Sequence, residues 1–191
     1  MPLHATRRRR APPPEGRVSP ATTITMSAPA IPLDEFDEEM ASTRRLLERV
    51  PTDRADWKPH PKSFSLGDLA RLVASMPAWI ASTLREPAID LGAPGDAGAG
   101  YGQPIDALVE TFDRNVREAR LALEAVTGDA LAAEWQLRTG DQVLLALPRD
   151  AAVRQHLRHF AHHRGQLTVY ARLLDVPVPS IYGPTADERW G

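Results

Sequence analysis

Four segments of this chain repeat apolar residues at alternating steps of three and four, a pattern that leaves little besides helices each burying one stripe. Leu33, Phe36, Met40, Leu47 and Val50 form the first stripe; Leu66, Leu69, Val73, Met76 and Ile80 form the second. The third runs through Ile105, Leu108, Phe112, Val116, Ala119, Leu123 and Val126, and the fourth through Val153, Leu157, Phe160, Leu167 and Leu174. Ser65 is placed to cap the second helix with Asp68 reciprocating, Pro77 to kink it, Pro104 to open the third and Asp150 to cap the fourth. The fold class read from this pattern is all-α: a four-helix bundle with long crossover loops and a small hairpin between helices 3 and 4.

The connections carry their own signals. Residues 51–64 contain Pro51, Trp57, Pro59 and Pro61, a stiff crossover. Residues 91–104 hold five of the 12 glycines and read as a slack exposed connection or a lid. Residues 133–148 read as the hairpin, turning at Thr139-Gly140-Asp141.

Charge divides the chain in two. Residues 1–32 hold five Arg, one Glu and seven of the 18 prolines, and read as a disordered Arg/Pro-rich head. Residues 33–191, the helical domain, carry 18 basic and 24 acidic residues, an acidic balance that disfavours nucleic acid as partner. The apolar stretch that a secretory or twin-arginine signal needs does not follow Arg7 to Arg10, so the expected location is cytoplasmic, with Met26 an alternative start. No segment is apolar for long enough to suggest a membrane span. With no cysteine, disulfides, thiolate ligands and a cysteine nucleophile are excluded, and any chemistry falls to His, carboxylates or hydroxyls.

His156, His159 and His163 fall at spacings of three and four on the fourth helix, within an arc of about 60°. A pair at i and i+4 can share one divalent ion, although a tight site needs a third ligand. The competing reading makes them half-buried histidines hydrogen-bonded to neighbours. His162 points away from His163, Arg164 and Gln166 suit a salt bridge to the first helix or a substrate anion, and Gly165 suits close helix packing. The acidic run Asp34 to Glu39 complements the start of the first helix.

The run His159-Phe-Ala-His-His-Arg-Gly-Gln-Leu-Thr-Val-Tyr-Ala-Arg-Leu-Leu-Asp-Val-Pro-Val-Pro resembles the fourth-helix signature of the DinB/YfiT-like proteins. Weaker similarity covers Asp56-Trp57-Lys58-Pro59, Ser63 to Ala70, Pro77 to Trp79 and Ile181 to Glu188, so that the resemblance spans about residues 33–189. It implies a divalent metal, Zn, Ni or Fe, held by one second-helix and two fourth-helix histidines; the fourth-helix pair carries over to His159 and His163. The second-helix ligand does not carry over, because its position is Leu72. The resemblance also implies a small-molecule substrate or thiol and a homodimer formed through the first two helices. Two functional readings follow. One is a metal-dependent thiol transferase or hydrolase with a degenerate two-His site; the other is a non-catalytic small-molecule-binding or stress-associated protein without metal.

Overall fold

The structure, a computed structural model, describes residues 31–93 and 104–189. Residues 1–30 of the head and most of the glycine-rich connection lie outside the described residues, and Ile31, at the end of the head, is buried in the core. Among the described residues there are five α-helices: α1 (Leu33–Leu47), α2 (Leu66–Arg85), α3 (Leu108–Ala125), the short α4 (Gly128–Ala132) and α5 (Arg149–Leu173). α2 packs against both α3 and α5, and α1 packs against α3. The four apolar stripes meet in one core that includes Phe36, Met40, Leu69, Val73, Phe112 and Leu167.

The all-α expectation is corrected by a three-stranded sheet, β1 (Ala88–Asp90), β2 (Glu134–Thr139) and β3 (Gln142–Pro148). β2 and β3 form the anticipated hairpin around Gly140, whose φ of 55° suits a residue without a Cβ. β1 pairs in parallel with β2, an association invisible in a three-residue segment with no alternation to display. Asp90 ties the two together: its carboxylate accepts from the Gly92 N–H at 2.8 Å and the Gly140 N–H at 2.9 Å. These two bonds hold its pKa below the ordinary carboxylate value.

Helix starts follow the sequence unevenly. Ser65 Oγ accepts from the Asp68 N–H at 3.1 Å, as anticipated, while the Asp68 carboxylate faces Arg71. α2 runs through Pro77 to Arg85. Asp150 does not cap α5: the helix begins after Pro148, and the Arg149 N–H is already satisfied by the Ala133 carbonyl at 2.9 Å. Asp150 instead occupies the first turn and pairs with Arg154.

The 51–64 connection is fastened to the helices it joins. The Leu66 N–H donates to the Trp57 carbonyl and the Gly67 N–H to the Ala55 carbonyl, both at 2.8 Å. A Cβ on Gly67 would stand 3.0 Å from that of Ala55, so this contact depends on glycine. Trp57 packs edge-on to Tyr170 of α5, with ring centroids 5.7 Å apart. The C-terminal segment returns along α1 and α5 through Arg45–Glu188 and Arg172–Asp187 pairs.

Candidate ligand site beside a histidine pair

α5 presents His156 and His159 toward Trp79 of α2, His156 also toward Trp135 of β2, and His163 toward Phe64 just before α2. His163 is 8% exposed, whereas His156 is half-buried. Its Nε2 lies 2.9 Å from Thr83 Oγ1 of α2, and its ring meets Trp79 and Trp135 edge-on at 6.0 and 5.5 Å. Burial lowers its pKa from 6.5 to about 4, so the ring is neutral at physiological pH. It does not join the other two as a ligand, since its Nε2 is committed to Thr83.

His159 and His163 do come together. Their Nε2 atoms are 2.8 Å apart, and His163 Nδ1 lies 2.8 Å from Gln166 Oε1. An amide oxygen only accepts, so His163 carries its proton on Nδ1 and turns the Nε2 lone pair toward His159, which donates. Burial lowers both pKa values; at His159 repulsion by His163 and His162 adds to the effect, whereas the Gln166 bond opposes it at His163. His162 is exposed, but it does not point away from His163: the two rings meet edge-on with centroids 5.0 Å apart.

Beside the pair lies an apolar cavity of about 280 Å³. Trp79, Trp135, Leu137 and Leu145 form much of its wall, and His156 and His159 supply the polar edge together with Gln155. His159 reaches this cavity and His163 does not. The indole N–H of Trp135 is buried with no hydrogen-bond partner. The sequence pattern marked the histidines but not Trp135 or Thr83. A threonine one turn beyond Ile80 on an otherwise apolar stripe was the available signal for Thr83.

The residues present make an incomplete metal site. Two imidazole nitrogens converge, but no group of three or more His, Asp, Glu or Cys side chains suited to a metal occurs among the described residues. At the position where the resemblance calls for a third ligand, Leu72 is buried in the core.

Arg164 is structural. Its Nη1 lies 2.6 Å from the Glu39 carboxylate and donates to Ser42 Oγ and Thr43 Oγ1 at 3.1 Å, while Nη2 donates to the Tyr182 hydroxyl. The guanidinium also lies over the rings of Phe160 and Tyr182. It thus joins α5, α1 and the C-terminal segment. Asp37 pairs with Arg120 of α3. Gly165 does not serve close packing: it is exposed, and a Cβ there would meet nothing within 4 Å.

Four long helices with a small sheet, and a histidine pair flanking an apolar cavity, define a helical protein with a candidate small-molecule site. The profile of the DinB family matches residues 26–190, and the chain belongs to that family. It is 27% identical over 165 residues to the uncharacterised protein YrdA of Bacillus subtilis, covering 83% of this chain and 89% of YrdA. Among solved structures it is similar to a DinB-like protein from Bacillus cereus (TM-score 0.62, 20% identity, 78% of this chain and 95% of that one). It is also similar to the DinB-like YjoA of Bacillus subtilis (0.59, 19%, with the same coverages). A mycothiol-dependent maleylpyruvate isomerase shares the fold at a TM-score of 0.55 and 17% identity, over 77% of this chain and 65% of the isomerase. Among the described residues no helix is long and apolar enough to cross a membrane.

Proposed function

We propose that the protein binds an apolar, aromatic small molecule in the cavity between Trp79, the sheet and the first half of α5, with His159 meeting the ligand's polar end. The observation that carries this reading is the cavity itself, walled by two indoles and branched side chains and edged by imidazole. A protein cavity of about 150 Å³ accommodates benzene, so about 280 Å³ suits a ligand of one or two fused rings. Calorimetric titration with indole and with 1-naphthol tests it. Saturable binding with a negative heat-capacity change, weakened in Leu145→Trp, is expected. No saturable heat from either probe overturns the reading.

A second reading, a metal-dependent thiol transferase or hydrolase working from a two-histidine site, is favoured by the His163 tautomer. The Gln166 bond leaves its Nε2 lone pair in the state a divalent ion requires. The fold shared with a mycothiol-dependent isomerase lends thiol chemistry as the class. Elemental analysis of the wild type, His159→Ala and Leu72→His tests this reading. Stoichiometric Zn, Ni or Fe in the wild type, lost in His159→Ala, supports it; an empty wild type that gains metal only in Leu72→His overturns it.

A further inference from the structure

Beside Gln166, the hydrogen-bond partner of His163, a polar cleft of about 370 Å³ opens between the 51–64 connection and the second half of α5. Lys58, Lys62, Ser63, Asp68, Gln166 and Tyr170 line it. We propose that this cleft binds an oxyanion, the phosphate or carboxylate group of a small molecule.

The argument starts from the donors. Neither lysine has a carboxylate partner among the described residues. Gln166 accepts from His163 Nδ1 through Oε1, so its NH₂ group is left to donate. The Ser63 hydroxyl adds a further donor. The acidic side chain in the lining, Asp68, lies 3.4 Å from the Arg71 guanidinium, which offsets its charge. The cleft therefore presents two ammonium groups and neutral donors to one space, against a single carboxylate that Arg71 partly offsets, a net positive arrangement of the kind anion recognition uses.

The scaffold beneath them is fixed before any ligand arrives. The Ser63 N–H donates to the His60 carbonyl at 2.9 Å and the Lys62 N–H to His60 Nδ1 at 3.1 Å, closing the turn that carries the lysines. Tyr170 donates its hydroxyl to the Phe64 carbonyl at 3.2 Å and packs against Trp57, clamping both ends of the turn to α5. Preorganisation of this kind reduces the ordering cost of binding.

The test follows backbone and Gln166 side-chain amides of the full chain by NMR during titration with inorganic phosphate and, separately, with acetate. Saturable shifts confined to residues 58–68 and Gln166 are expected with at least one probe, and the stronger probe identifies phosphate or carboxylate. Affinity is expected to fall by about tenfold or more in Lys58→Ala/Lys62→Ala and in Gln166→Glu. It is expected to stay unchanged in Arg114→Ala/Arg117→Ala, which removes as much charge from α3. Shifts that fail to saturate with both probes overturn the proposal, as does an equal loss in the α3 control.

Discussion

Replacing His156 by Phe tests whether the enclosed ring makes the fold acid-sensitive. Burial lowers its folded pKa to about 4, against an ordinary 6.5. Between these values the unfolded chain binds a proton that the folded chain refuses, so stability rises with pH across this window and is lost as pH falls from 6.5 toward 4. At about 1.4 kcal/mol per tenfold change in proton affinity, the full displacement amounts to about 3 kcal/mol, a large share of the 5–15 kcal/mol typical of a domain. Phe keeps the ring contacts with Trp79 and Trp135 and leaves Thr83 Oγ1 without its ring partner, a cost of about 1–3 kcal/mol that does not vary with pH. Urea unfolding at fixed pH values from 7.5 to 4 reads both terms. The wild type is expected to lose about 3 kcal/mol more than His156→Phe over that range. His159, His163 and the depressed carboxylates titrate in both proteins and cancel in the difference. Parallel pH profiles for the two proteins would refute the buried, neutral assignment of His156.

Other predictions follow from single contacts. Gly165→Ala is expected to stabilise the protein by about 0.5–1 kcal/mol in urea unfolding, because the position is helical, exposed and open to a Cβ. Arg164→Ala is expected to destabilise it by about 3–5 kcal/mol, since the Arg164 side chain is 2% exposed and Glu39 is left without its partner. Arg164→Lys is not expected to restore the loss, because an ammonium cannot match the planar fork across Glu39, Ser42, Thr43 and Tyr182. Asp90→Ala is expected to speed hydrogen exchange at the Gly140 amide while leaving exchange in α2 unchanged.

The helices were legible because their information is periodic: the stripes through Phe36, Val73, Phe112 and Phe160 each repeat often enough to identify a buried face. What was hidden depends on partners far apart in sequence. β1 is three residues long and exists because the hairpin offers it an edge and Asp90 bonds across to Gly140. The start of α5 was misplaced for a similar reason, since the Ala133 carbonyl serves the first N–H and no side-chain cap is needed.

The candidate site shows the same division. Spacing alone put His159 and His163 on one face, and the structure brings their Nε2 atoms to 2.8 Å. The same spacing could not tell that His156, one turn earlier, bonds to Thr83 and forms part of an apolar wall. Nor could it show that His159 lines an indole-walled cavity while Gln166, the partner of His163, lines a lysine-bearing cleft. That asymmetry bears on the chemistry. The Nε2–Nε2 contact joins His159, on the cavity, to His163, and the Gln166 bond continues from His163 Nδ1 to the cleft.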